Sequence, residues 1–425
     1  MDSSSVNLDS GHMSFHPMGA SHPSPNPALT YERGSVLGRM GTTFNGGNSS
    51  SSEFACKCGR LVTNNALNAS SLYLIYNIIS LCLVALSLSP LPLSSLSLYS
   101  ALLALPGLYN FLNIACGWMV HIASIPSFHL LMPGNLEYNR SAKFIDDRKN
   151  IAKRMSVRVN GSLVDVVVAG KKEHEGTGRY ILFAMGNAML YENVGGYDYF
   201  LTLAGNLQAL ALFYNYPGVG RSEGWFADRE ATCAAHVAMH RLLRNESHFP
   251  TTQGTKKVIV DFGWSIGGGV QESARPVVEQ EHPEQCVVFV KLNTFSSLYK
   301  CARGLHLFSW LAWLVPILNW EYPPSANRKE RSAQNREVVI QRGDSALHQN
   351  GSAFVPMSNL GELRDDGVIK KEASFAYTFF PHRETNEIKF FLTKYDHCIC
   401  AQSQKDFENI AGIINDSINE INTTS

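Results

Sequence analysis

The run Gly263-Trp264-Ser265-Ile266-Gly267 sets a serine between two glycines. An apolar, β-branched segment, "KVIVDFGWS" (257–265), gives way there to small residues, "IGGGVQESA" (266–274). A serine hydroxyl is a weak nucleophile and attacks a carbonyl only when a neighbouring base takes its proton. The glycines are what such a serine requires: on a sharp strand-to-helix turn, side chains two positions away would collide with the adjoining strand and helix. A helix starting at Ile266 aims its N-terminal dipole, and the Ile266 amide, at an oxyanion developing beside Ser265. Among the fourteen histidines, His397 in "YDHCIC" is set apart as the base. It follows an apolar run, "IKFFLT" (388–393), and precedes a terminal helical stretch, "SQKDFENIAGIINDSI". Two aspartates could fix its tautomer: Asp344, closing "REVVIQRGD" (336–344), and Asp366, in "DDGVIKKEASFA". A strand end holds a carboxylate better than a loop does, which favours Asp344 and leaves Asp366 as the alternative acid.

These residues need a scaffold, and the chain from residue 155 onward supplies one. "MSVRVNGSLVDVVVAG" (155–170) is two strand-like runs joined by Asn160-Gly161, a hairpin signal. "RYILFAMGN" (179–187), "ALALFYNYPG" (209–218), the serine strand, "QCVVFVKLN" (285–293) and "REVVIQRGD" are short apolar runs ending in Gly, Asn, Asp or Ser. Helical stretches such as "DREATCAAHVAMHRLLRN" (228–245) lie between several of them. Strands alternating with helices predict an α/β fold that opens antiparallel and continues as a parallel sheet.

The first part of the chain reads differently. Residues 1–55, rich in Ser, Gly, Asn, Pro and His, show no apolar period and are expected to be disordered. No secretory signal peptide is expected there. From Leu61 to Leu136 there is no Asp, Glu, Lys or Arg. Within this stretch, 72–89 and 96–122 are each long enough for a bilayer crossing, joined by the uncharged turn 90–95. Lys57 and Arg60 precede the pair, and Arg140, Lys143, Arg148 and Lys149 follow it. The positive-inside rule therefore predicts a transmembrane hairpin over 72–125 with both ends cytosolic, and a linker over 126–154. The formal net charge is zero, which gives no support for a nucleic-acid partner. The nine cysteines are scattered along the chain and read as reduced thiols. No cofactor and no metal site is expected.

Taken together, residues 155–421 resemble the α/β-hydrolase superfamily. "FAMGNAMLYEN" occupies the place of the family's His-Gly-x loop, with Met185 where histidine is usual; the resemblance implies an oxyanion hole from the amides of Asn187 and Ile266. "YNYPGVGRSEG" (214–224) looks like the family's turn after its fourth strand, and Ser265, an aspartate and His397 follow its triad order. "DDGVIKKEASFA" is similar to the family's Asp-x-Val-Ile-Pro run, with Lys370 in place of proline. The family inserts a cap between its sixth and seventh strands. Here that would be about 295–332, with Trp310, Trp313 and Trp320 in an apolar helix-like run that suits a lid or membrane-docking surface. The Ser-rich head, the apolar hairpin and the "NYPGVGRSEG" and "GWSIGGG" runs together resemble the chlamydial CHLPS-type family. That likeness implies type III export and placement in a vacuole (inclusion) membrane. Two functions are compatible with this reading: a membrane-tethered serine hydrolase acting on an ester, thioester or lipid acyl bond, or a catalytically silent hydrolase fold serving as a membrane-bound interaction module.

Overall fold

The computed structural model describes residues 150–424 apart from short gaps, the longest at 323–334, together with 5–6, 31–32, 108–109, 112–113 and 115–117. The strands are β1 (Ser5–Val6), β2 (Tyr31–Glu32), β3 (Asn150–Val159), β4 (Ser162–Lys171), β5 (Arg179–Ala184), β6 (Leu210–Tyr214), β7 (Val258–Trp264), β8 (Cys286–Leu292), β9 (Asn335–Arg342), β10 (Phe354–Pro356) and β11 (Ile388–Thr393). They form one sheet in the order β1-β2-β3-β4-β6-β5-β7-β8-β9-β11-β10. Asn160 and Gly161 both take positive φ, 48° and 85°, and make the two-residue turn between β3 and β4 that their types demand. β4 is antiparallel to β3 and to β6. From β6 to β11 every neighbouring pair is parallel, and β10 closes the far edge antiparallel.

Period-two alternation decides which face each strand residue serves. In β5, Tyr180 and Leu182 enter one apolar cluster, while Ile181 and Phe183 enter the other. Both faces are buried, which is why these strands read as unbroken apolar runs. Helices α1 (Gly195–Asn206) and α7 (Gln404–Thr424) cover one face. α2 (Arg229–Arg244) and α3 (Ile266–Glu281) cover the other. A buried ionic group ties α3 to the sheet: Lys291 of β8 lies 2.9 Å from both Glu272 and Glu337, and Arg275 lies 2.9 Å from Glu337 and 2.8 Å from Glu279.

The element that matters for chemistry is the crossing at β5. The chain runs from β4 past one position to β5, returns to place β6 between them, then crosses to β7 on the far side of β5. Open α/β sheets bind ligands outside the carboxyl ends of their strands at such a switch point. The ends of β5 and β7 meet there.

Three expectations change. The first strand of the β3–β4 hairpin begins at Asn150, not 155, because Lys153 and Arg154 find carboxylates: Glu175 at 2.7 Å and Asp165. Within 1–55, β1 and β2 add to the free edge of β3, whose backbone groups are otherwise unpaired; the rest of that segment lies outside the described residues. The cap is not one helical run: α4 (Leu298–Gly304) and α5 (Leu314–Ile317) are separate, and Asn319, at φ 59°, follows the end of α5. α6 (Phe375–Phe379) lies beyond, its Phe375 and Ala376 in an apolar cluster with Val339 of β9 and Leu392 of β11. Most of the predicted hairpin lies outside the described residues. Its described positions between 108 and 117 are helical, and Cys116 and Leu112 join the apolar cluster that includes the cap. The Trp320 indole donates to Asn113 Oδ1 at 2.6 Å. Among the described residues no helix is long and apolar enough to cross a membrane.

Candidate active site

β7 delivers Ser265 onto its turn with φ 55° and ψ −117°, a backbone region that residues with a side chain rarely enter. The flanking glycines are forced by contact distances. A Cβ at Gly263 would stand 2.6 Å from Gly268 Cα, and one at Gly267 would stand 2.0 Å from the Ala184 carbonyl oxygen. Real Cβ atoms do not come so close. α3 can therefore start only this near β5 if position 267 is bare, and its N-terminus then lies against the loop after β5.

That loop carries the other oxyanion candidate. The position a Cβ would take on Gly186 is 3.6 Å from Ser265 Cβ, so residues 185–187 pass directly beside the serine, with Asn187 half-buried. The Tyr216 hydroxyl donates to the Met185 carbonyl at 2.8 Å; burial raises Tyr216 well above the usual phenol range and keeps that proton on. Met185 itself joins the apolar cluster of Phe213 and Trp264. The 214–224 turn is fastened in the same way. Ser222 donates to the Asn215 carbonyl at 2.7 Å and accepts from the Asp165 amide at 2.9 Å.

His397 follows β11 and lies with Nε2 2.8 Å from Ser265 Oγ. Its main chain is held at both ends: its amide donates to the Asp366 carbonyl at 2.8 Å, and the Trp264 indole donates to its own carbonyl at 2.9 Å. Its Nδ1 is 2.9 Å from Asp366 Oδ2. With Nδ1–H donating to that carboxylate, Nε2 is the acceptor for the serine hydroxyl.

The aspartate beside His397 is thus Asp366. Asp344, the expected acid, is exposed and pairs with Arg364 at 2.8 Å, with no contact to the imidazole. The physical reason is local. Gly367, at φ 94°, lets residues 366–369 fold back so that Asp366 Oδ1 accepts the amides of Val368 at 3.0 Å and Ile369 at 2.6 Å. Gln341 of β9 donates to Oδ2 at 3.3 Å, and the group is fully buried. A loop carboxylate fixed by its own turn is as rigid as one on a strand. Cys301, near Asp366, is no rival nucleophile, because burial, with Asp366 and Glu321 adding to it, pushes its thiol up to about 12.

In the cap, Trp320 is buried, Trp313 is 53 % exposed and Trp310 lies outside the described residues. One group of described residues could hold a metal: His236, His240 and Asp261. Asp261 precedes Ser265 by four strand positions, about 13 Å at ~3.3 Å per residue, so the group is separate from the serine. It was missed from the sequence, although a lone aspartate inside "KVIVDFG" and a histidine pair four apart in "AHVAMHR" were its signals.

The strand order with its reversal at β5, and the serine turn after β7, define an α/β-hydrolase fold. The chain belongs to the family described as Chlamydia CHLPS protein (DUF818), whose model matches residues 135–396. No curated protein matches it. Among solved structures it is similar to the esterase Pf2001 of Pyrococcus furiosus, at 14% identity and TM-score 0.44, over 68% of this chain and 93% of that one. It is also similar to an esterase structure from Rhizomucor miehei, at 13% and 0.44 over 69% and 94%, and to a lidless α/β serine hydrolase from Xanthomonas campestris, at 13% and 0.37 over 63% and 94%.

Proposed function

We propose that this protein is a serine hydrolase that cleaves an ester, thioester or lipid acyl bond through Ser265, His397 and Asp366. The observation that carries the reading is the unbroken chain of contacts, 2.8 Å from serine to imidazole and 2.9 Å from imidazole to aspartate, on a serine held at positive φ. Ser265 Oγ attacks the acyl carbonyl while His397 Nε2 takes its proton. The imidazolium, stabilised by Asp366, returns that proton to the departing alcohol or thiol. A water then attacks the acyl-serine, again losing its proton to His397, and the acid and free serine are released. The amides of Ile266 and Asn187 are assigned to the oxyanion. The charge-free stretch from Leu61 to Leu136 supports a membrane tether, and with it an acyl substrate drawn from a bilayer.

A fluorophosphonate probe tests the chemistry. The full chain in detergent should label at one site, and Ser265→Ala, with an unchanged circular dichroism spectrum, should not label. Equal labelling of the two would put the reactive group at another residue, and none of the wild type would leave the fold as a silent interaction module.

A further inference from the structure

A second histidine–aspartate group lies inside the molecule, made of side chains the proposed hydrolysis does not use. Asp261, in the middle of β7, points to α2. There His236 and His240, four residues apart on one helix face, each bring Nε2 to 2.8 Å from the same carboxylate oxygen, Oδ2. The three side chains are fully buried, and their ligand-type atoms all lie within 4.8 Å of one another. The Tyr214 hydroxyl of β6 is 2.8 Å from His236 Nδ1, an outer partner that fixes the ring's orientation.

Hydrogen bonding alone does not account for the group. Asp261 Oδ1 and His240 Nδ1 are buried with no partner. The carboxylate's ion-pair partners among the described residues are these two histidines alone. A buried carboxylate oxygen without a partner is costly unless a cation balances it.

We propose that His236, His240 and Asp261 bind a divalent transition-metal ion of the zinc type. Two imidazoles four apart on a helix and one carboxylate from the facing strand are a donor set suited to that ion. Bonds of about 2.0–2.1 Å at a tetrahedral angle spread ligand atoms to about 3.3 Å, so binding moves these atoms apart by about half an ångström. The ion joins α2 to the serine strand from below and takes no part in acyl transfer.

The test is metal content. The full chain, made without a histidine tag in cells supplied with zinc and purified in detergent, should carry close to one zinc per chain by atomic emission. Asp261→Asn and His240→Gln should each carry less than a tenth. Tyr214→Phe keeps all three ligands, and should retain the metal but bind it about ten- to a hundredfold more weakly. Cobalt-grown protein should show the visible absorption of a tetrahedral ion. Wild type with less than a tenth of an equivalent overturns the proposal, as does equal zinc in wild type and both ligand variants, since fourteen histidines offer adventitious sites. Should neither ligand variant fold, the wild-type stoichiometry and the cobalt spectrum decide alone.

Discussion

Two histidine–aspartate arrangements on one sheet invite comparison. At His397 the imidazole bridges Asp366 and Ser265; Ser265 and His397 follow the carboxyl ends of β7 and β11, and Asp366 lies in the loop beyond β10. At His236 and His240 two imidazoles converge on Asp261, sealed between β6, β7 and α2. The pairwise chemistry is the same and the distances nearly so. The difference lies in where the second ring nitrogen leads. In the outer arrangement it meets a hydroxyl beside a helix N-terminus. In the inner one it meets Tyr214, or nothing. A histidine–aspartate pair becomes a base for catalysis only when its free nitrogen faces a nucleophile that a substrate can reach.

The largest effect should separate the two aspartates by their chemistry. Asp366→Asn should lower kcat/KM for an activated ester by about ten-thousand-fold, through loss of the working imidazole tautomer. Asp261→Asn should change it less than about tenfold. Steady-state kinetics of the two variants decide, and equal losses would erase the distinction.

Stability should reverse the order. His240→Ala opens a cavity and takes one of two partners from the buried Asp261 carboxylate, at a cost of about 3–5 kcal/mol in urea unfolding. His397→Ala should cost about 1 kcal/mol, because Asp366 keeps the Val368 and Ile369 amides and Gln341. A larger loss at His397 than at His240 would mean that the outer pair, too, holds the fold together.

A smaller effect concerns what reaches the outer site. Trp313 stands half-exposed on the cap. Hydrolysis of p-nitrophenyl esters should rise from acetate toward medium chains, by up to roughly fourfold for each methylene fully buried, at ~0.8 kcal/mol each. Trp313→Ala should flatten the rise, and a steady decline from acetate would remove the cap from substrate binding.

The smallest effect tests the rejected acid. Asp344→Asn should alter kcat less than about twofold and stability by less than about 1 kcal/mol, because its ion pair with Arg364 is exposed and screened by solvent. A loss approaching that of Asp366→Asn would return the role to Asp344.

How much of this was readable follows from the range of the forces involved. The parallel strands, the Asn160-Gly161 turn, the Gly-flanked serine and the placing of His397 are written in local pattern, in apolar period and glycine position. The acid was not. Asp344 has the better local signal, directly after β9, but it emerges into solvent beside Arg364. Asp366 is brought to His397 by a turn at Gly367 and by a hydrogen bond from Gln341, a partner 25 positions away. The cap was misread for a similar reason. "SWLAWLVPILNW" has a helix's composition, yet Asn319 takes a left-handed conformation, Trp320 turns inward to Asn113, and α5 stays short. The inner cluster was legible in principle, since a single charge in an apolar strand must find its counterpart on the element packed above it.

The backbone at Ser265 carries one consequence for how this chain can change over time. Its φ of 55° and ψ of −117° hold about 1–3 kcal/mol of strain for a residue with a side chain. Glycine carries no such penalty. Ser265→Gly should therefore unfold at higher urea concentration than the wild type while losing all reactivity. Folding alone would favour the inert residue, so the serine is a standing cost in stability, and a chain released from any demand for chemistry has a one-step route to a more stable form of itself.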